Sequence, residues 1–504
     1  MSESGSTAGG VAASEQIRYG SPQGWWVLAA TIGGSSIAFL DSTVVNVALP
    51  VLGTELGAGV SGLQWVLNGY MLALASLILL AGSLGDRYGR RRMFLVGVVW
   101  FAVASLLCAL AQDVGQLVIA RVLQGIGGAL LTPGSLALIQ ASFVAEDRGT
   151  AIGAWSGIGA LAGALGPFLG GFLIDGIGWR SVFLVNVPLS ILVVLIAVRH
   201  VPESRDPDSP DQLDILGAIT GGVGLGGVTY ALIAAGDRGI SPTVAAAAVI
   251  GVIALAAFVL IERRSSHPML PLDIFTSRQF TWANVVTFAV YGGMGAVFFL
   301  LVVQLQTVLG YTALQAGVAS LPVTVLLFLL SPRAGALAQR IGPRLPMTVG
   351  PVLAGLGIAL LSRVQEGASY ATGVFPAIAL FGLGLGVAVA PLTTTVLAAA
   401  DERHSGLASG VNNAVARAAQ LLAVAVLPVL VGLTGDAYND AEIFAQGFAE
   451  AMVISGTLVA SGGVLAFFVI ERTPTAPAER SRQVVGAHCD MCGPPLREPT
   501  SVGR

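Results

Sequence analysis

Fourteen runs of about 18 or more mostly apolar residues, separated by short polar connections, leave this chain one way to fold. The runs lie near 25–51, 62–82, 93–112, 115–142, 149–173, 181–198, 213–235, 243–261, 279–308, 313–332, 346–363, 373–399, 406–433 and 448–470. Each is long enough to cross a bilayer as a helix, and together they use most of the 504 residues. The reading is an all-α integral membrane protein with no sizeable domain outside the membrane. The charged fraction of 11% is less than half that of a soluble domain, about 25%. The net charge of −3 implies no nucleic acid or other partner.

Two polar linkers, Pro202–Gln212 and Glu262–Arg278, divide the spans into six, two and six. The organisation expected is a tail over 1–24, a six-helix half over 25–200, linkers with two inserted helices over 201–278, a second six-helix half over 279–470, and a disordered tail over 471–504. An internal repeat supports it. Gly82-Ser-Leu-Gly-Asp-Arg-Tyr-Gly-Arg-Arg91 is followed 253 residues later by Gly335-Ala-Leu-Ala-Gln-Arg-Ile-Gly-Pro-Arg344, and five of the ten positions match. Duplicated halves around a central site are a common architecture of secondary transporters.

All 25 basic residues are arginine. Without lysine there is no phosphate-binding Gly-Lys-Ser/Thr loop and no Schiff-base chemistry, so neither ATP-driven transport within this chain nor lysine catalysis is expected. The four histidines lie in linkers, loop edges or the tail, so no intramembrane metal or haem centre is expected, and no cofactor. Cys489 and Cys492, beside His488, read as incidental tail chemistry, short of a four-ligand zinc site. When connections are assigned to alternate sides, twenty arginines fall on one side and three on the other, with Arg121 and Arg417 inside spans. Positive charge collects on the cytoplasmic side, so both termini are expected there, and the protein in the cell membrane.

Asp41 is the only carboxylate expected well inside an apolar run; Asp214 and Glu450 are expected at helix ends. An acid at depth is a functional candidate by default, because burial disfavours its charged form and a nearby cation favours it. The bland reading has Asp41 satisfied by the hydroxyls of Ser42 and Thr43. Arg121 keeps its charge at working pH, so it would act by biasing a neighbouring acid; alternatively it bonds backbone carbonyls at a helix entrance. Arg417 either brings a charge to a cavity wall or reaches a membrane edge.

Several motifs resemble the major facilitator superfamily over residues 25–470, specifically its fourteen-helix drug:proton antiporter branch. Gly82-x-Leu84-x-Asp86-Arg87-x-Gly89-Arg90-Arg91 is similar to the signature loop between helices two and three. Its glycines allow a tight turn, and its acid and arginines can form a charge network that changes as the halves rock. Leu40-Asp41-Ser-Thr43-Val-Val-Asn46-Val-Ala-Leu-Pro50 resembles the branch's first-helix signature. Arg121-Val-Leu-Gln124-Gly-Ile-Gly-Gly128 resembles the fourth-helix motif whose Arg is associated with proton coupling. Gly153, Gly166, Pro167, Gly170 and Gly171 resemble the fifth-helix motif of exporters, with Ala162 in place of a glycine. Trp179-Arg180-x-x-Phe183-x-x-Asn186-x-Pro188 and Gly406-x-x-Ser409-Gly410-x-Asn412-Asn413 also resemble the branch, although Arg417 and Gln420-Leu421-Leu422 replace a usually small segment. Gln339 in the second loop stands where the first has Asp86, so a weaker network is expected there.

The resemblance implies no enzyme but a proton-coupled antiporter that exports hydrophobic or amphipathic small molecules, conferring antibiotic or multidrug resistance, and working as a monomer. Asp41 and Arg121 would couple protons. Helices one, four, nine and twelve would line the cavity, with Asn46, Gln124, Asn284, Tyr291, Gln304, Gln306, Asn412 and Asn413 as candidate contacts. The alternatives are a nutrient facilitator or importer of the same fold, or a non-transporting membrane sensor or lipid-modifying enzyme.

Overall fold

The computed structural model describes residues 17–206, 213–399, 405–435 and 440–472. The His488/Cys489/Cys492 tail and Arg403 lie outside them. Among the described residues, fourteen helices are long and apolar enough to span a membrane: α1 Pro22–Glu55, α2 Val60–Tyr88, α3 Arg90–Leu110, α4 Val114–Ser142, α5 Glu146–Gly176, α6 Arg180–His200, α7 Ile215–Arg238, α8 Pro242–Arg264, α9 Arg278–Val308, α10 Ala313–Ile341, α11 Arg344–Leu361, α12 Tyr370–Ala398, α13 Leu407–Leu430 and α14 Ala441–Val469. Their order and number match the fourteen apolar runs.

Capping chemistry sets several starts. Ser21 accepts from Gly24 N ahead of Pro22, and Ser241 accepts from Val244 N ahead of Pro242. Thr312 and Gln315 form a reciprocal capping box at α10. The α2–α3 connection is one residue, Gly89 at φ +111°, whose N–H donates to Gly85 O. Gly342 ends α10 in the same way, at φ +89° with its N–H on Ala338 O. Both positions need the left-handed backbone that glycine alone adopts without strain, and their 253-residue spacing carries the sequence repeat into three dimensions.

The first half packs α1 on α5, α6 and α4, with α4 also on α2 and α3; the second packs α11 on α12 and α14, α10 on α12, and α9 on α13 and α14. The inserted α7 and α8 pack on each other, and α7 alone docks on the seam between α2 and α13. Small residues allow the close approach: a β-carbon on Gly251 of α8 would come within 2.6 Å of Val228 N. The outer faces are apolar, as with Ile250, Ile253 and Leu260 of α8, which suits a hydrocarbon surround.

Contacts between the halves concentrate at the end poor in arginine. There Gln64 Nε2 donates to Val424 O at 2.7 Å, Gln306 Nε2 to Val47 O at 3.0 Å, and Leu314 N, in the first turn of α10, to Asp175 Oδ2 of α5 at 2.9 Å. Toward the Arg-rich end, β-carbons on Gly149, Gly153 and Gly157 of α5 would meet open space.

Two positions differ from the sequence reading. Glu450 lies on an exposed face of α14 nine residues past its start, because the helix begins at Ala441, before the apolar run. Glu262, expected in a linker, is in the last turn of α8 and only 2% exposed, with Oε2 accepting from Leu270 N. Polar flanks extend these helices past their apolar cores.

Candidate functional site

Asp41, midway along α1, has no exposed surface. Its Oδ2 accepts from Arg121 Nη1 of α4 at 2.6 Å, and its Oδ1 accepts from Gln124 Nε2 at 2.8 Å and from Asn186 Nδ2 of α6 at 3.0 Å. Arg121, 1% exposed, also donates to Gln124 Oε1 at 2.5 Å and through Nε to Val66 O at 3.1 Å. Its guanidinium lies 4.4 Å from the centre of the Tyr70 ring and 5.9 Å from that of Phe183. Gln124 Nε2 further donates to Ser105 Oγ at 2.8 Å.

Local sequence explains the geometry. Arg121 and Gln124 are three apart and share a helix face. Asn186 is placed by a break in α6, whose helical segments run Arg180–Leu184 and Asn186–His200. Pro188 has no N–H to donate and its ring crowds the Leu184 carbonyl, so the helix restarts with Asn186 turned to Asp41. The pairing of Asp41 with the Ser42 and Thr43 hydroxyls does not occur. Both hydroxyls donate to backbone carbonyls, Ser42 to Phe39 O and Thr43 to Gly163 O and Leu40 O, as hydroxyls in helices commonly do. Arg121 is likewise no helix-entrance residue: it is sealed by aromatic rings and an acid.

A buried ion pair survives only when further hydrogen bonds satisfy it. Here one carboxylate receives three donors and one guanidinium finds two oxygens besides the acid. Such a set ties α1, α4 and α6 together through one side chain.

One turn away lies a cavity of about 130 Å³ between the halves. It is lined by Thr43 and Asn46 of α1, Pro167 of α5, Met294 and Phe298 of α9, and Ser320 and Thr324 of α10, with no charged side chain. Of the expected cavity contacts, only Asn46 lines it. Gln124 belongs to the Asp41 cluster. Gln304 is buried and donates to Val364 O, and Gln306 ties α9 to α1. Asn412 Nδ2 donates to Thr287 Oγ1 at 2.9 Å and Asn284 Oδ1 at 3.2 Å. Asn413 is exposed and donates to Ser409 O, and Tyr291 packs against the core. Long polar side chains on apolar helices mostly found backbone carbonyls.

In the exporter-like stretch, β-carbons on Gly166 and Gly170 would strike Thr43 and Val44 of α1, and one on Gly171 would strike Leu314 of α10. A β-carbon on Gly317 of α10 would likewise strike Pro167 O. Three of the four glycines therefore set how closely α5 meets its neighbours, whereas Gly153 meets nothing. In the signature loop, Arg90 clasps Asp86 at 2.8 Å, and Arg87 lies 5.3 Å from the Tyr88 ring centre. Gly82 has open space beside it. Glu203, from the first linker, accepts from Arg91 N and Arg92 N, capping α3, and Arg91 Nη1 donates to Val201 O. Sequence reasoning did not assign Glu203, Ser105 or Asn186 to these clusters. Asn186 alone had a signal, its place two residues before Pro188.

The profile of the Major Facilitator Superfamily matches residues 31–424. The puromycin resistance protein pur8 of Streptomyces alboniger is 35% identical over 454 residues, 89% of each chain. The multidrug resistance protein Stp of Mycobacterium tuberculosis is 37% identical over 79% of this chain and 74% of its own. Among solved structures, the POT family transporter PepTSo aligns over 89% of this chain and 97% of its own with TM-score 0.66 at 15% identity, and the xylose transporter XylE from E. coli over 88% and 98% with 0.60 at 15%. With fourteen helices long and apolar enough to span a membrane among the described residues, and relatives of this kind, the chain is a multi-pass membrane protein that belongs to the Major Facilitator Superfamily.

Proposed function

We propose that the protein exports hydrophobic or amphipathic small molecules in exchange for protons, acting as a drug-resistance transporter of the cell membrane. The observation that carries the reading is Asp41, a buried carboxylate held by Arg121, Gln124 and Asn186 beside a cavity between the halves. The relatives named as resistance proteins support export, and so does the named tetracenomycin C resistance and export protein of Streptomyces glaucescens, 33% identical over 82% of this chain and 78% of its own.

Thr43 joins the two sites. It lines the cavity, follows Asp41 by two residues, and donates to Gly163 O of α5. A cargo that shifts α1 against α5 therefore disturbs the carboxylate's donors. When Asp41 is ionised, Arg121, Gln124 and Asn186 draw α1, α4 and α6 together; a proton on Asp41 weakens all three bonds and loosens the first half. Cargo loads from the cytoplasm or inner leaflet at the Arg-rich end, cytoplasmic by the positive-inside rule, where β-carbons on Gly149, Gly153 and Gly157 of α5 would meet open space. Drug-sized sites are about 300–1,000 Å³, so the halves must part further around the cavity when cargo binds.

The test is proton uptake and cargo efflux in proteoliposomes. Asp41→Asn keeps the size and hydrogen bonding of the side chain without its titration. It should abolish uphill efflux and substrate-linked proton movement while leaving downhill exchange. Wild-type proton stoichiometry in Asp41→Asn would sink the assignment.

A further inference from the structure

Among the described residues, Arg417 is a charged side chain at mid-helix that the coupling scheme does not use. It lies ten residues from Leu407 and thirteen from Leu430 in α13, about 15 Å and about 20 Å of helix from the two ends. An arginine side chain reaches about 6–7 Å, so Arg417 cannot snorkel to a membrane edge. Of the two readings of this residue, the membrane edge is out of its reach, and the lining of the cavity between the halves does not include it.

Its surroundings leave that charge uncompensated. Arg417 is half-buried, and Nη1 donates to Gln420 Oε1, a neutral acceptor, at 3.3 Å. Among the described residues it forms no ion pair with a carboxylate. Asp41 does not neutralise it, being sealed and already holding three donors. The α13 segment beside Arg417 also packs closely on α9 just where that helix turns toward the cavity: a β-carbon on Gly295 would come within 2.9 Å of Gln420 Cα, and the preceding Met294 lines the cavity. The cavity wall itself offers Phe298, Phe328 and Met294 but no charge.

A guanidinium held at mid-membrane without an acid is costly unless something anionic meets it during the cycle. We infer that Arg417 is the anion-recognition residue of the transport site, and that the cargo is a hydrophobic, aromatic-bearing acid: a carboxylate or other group ionised near neutral pH, on an apolar scaffold. Arg417 takes the anion, and the aromatic and thioether wall takes the scaffold. The inference rests on the transporter reading of this cleft, and it excludes lipophilic cations as preferred cargo.

The experiment measures binding to the purified full-length protein of three probes sharing one scaffold: 1-pyrenebutyrate, its neutral methyl ester, and the cation pyrenylmethylammonium. One charge-assisted contact corresponds to about tenfold or more, so wild type should bind the carboxylate about tenfold more tightly than the ester and prefer either to the cation. Arg417→Gln should bring carboxylate and ester to within about twofold of each other, with ester affinity and elution profile unchanged. Arg417→Lys should keep part of the preference. Equal wild-type binding of carboxylate and ester, survival of the preference in Arg417→Gln, or failure to bind any of the probes would overturn the assignment. Because binding is read without a proton gradient, a preference for the carboxylate with no uphill efflux would fail the exporter reading alone. Efflux with no such preference would fail this inference alone.

Discussion

The two halves share a frame and differ in what they bury. At the centre of the first, an aspartate and an arginine are locked together by Gln124 and Asn186. A polar contact inside the second is neutral: Asn412 of α13 bridges Asn284 and Thr287 of α9. The loops repeat the contrast. Asp86 is clasped by Arg90 and flanked by Glu203, whereas Gln339 is exposed and Arg344 lies over the Phe467 ring at 4.4 Å. Backbone turns survive duplication because glycine geometry holds them, whereas the carboxylate–guanidinium pair at the centre of the first half has no ion-pair counterpart among the described residues of the second.

The largest effect should come from dividing the buried pair. Arg121→Ala leaves the buried Asp41 carboxyl without its cation, and breaking one side of a buried pair costs about 3–5 kcal/mol. The variant should melt well below wild type and transport nothing uphill. The double variant Asp41→Leu with Arg121→Met should regain most of that stability and still transport nothing uphill, because an apolar pair packs but cannot titrate. Thermal melting of purified protein with proteoliposome efflux checks both arms. If the double variant melts as low as Arg121→Ala, the cluster's value is its shape and the contrast between the halves dissolves.

Next in size is the loop comparison. Asp86→Asn should reduce efflux by about tenfold at matched expression, since it removes the anion that Arg90 holds at 2.8 Å. Gln339→Asn should change efflux by less than about twofold, because the side chain is exposed. Equal losses would mean that the tight turns at Gly89 and Gly342 matter and the charge does not.

The helices, their number and the 6 + 2 + 6 division were legible because apolar run length is a local property that the bilayer reads directly. Asp41 and Arg121 were legible as candidates for the same reason, as charges standing out against an apolar background. Their partners were not. Ser105 and Asn186 are common polar residues whose meaning depends on which helices become neighbours, and nothing local says that α3 and α6 both face Asp41. Gln304 and Gln306 show the converse failure: they look like cavity residues, but their amides reach Val364 O and Val47 O, and only three-dimensional proximity reveals those carbonyls. Glu203 was missed because a linker acid reads as solvated until the linker folds back on the start of α3.

The smallest effect, and the sharpest separation, should come from two asparagines. Asn412→Ala strips a donor from Asn284 Oδ1 and Thr287 Oγ1, a neutral loss of about 1 kcal/mol that should lower the melting temperature slightly and leave the pH profile of efflux where it was. Asn186→Ala should cost a similar amount, about 1–3 kcal/mol, because the bond it removes ends on a carboxylate. Its distinguishing effect is on efflux. With one of three donors gone, Asp41 no longer ties α1 to α6, so uphill efflux should fall about threefold at matched expression, while Asn412→Ala leaves it nearly unchanged. Asn186→Gln can restore a donor and should return part of the efflux. The readout is uphill efflux in proteoliposomes. Unchanged efflux in Asn186→Ala, alongside the expected loss of stability, would make Asn186 a packing residue.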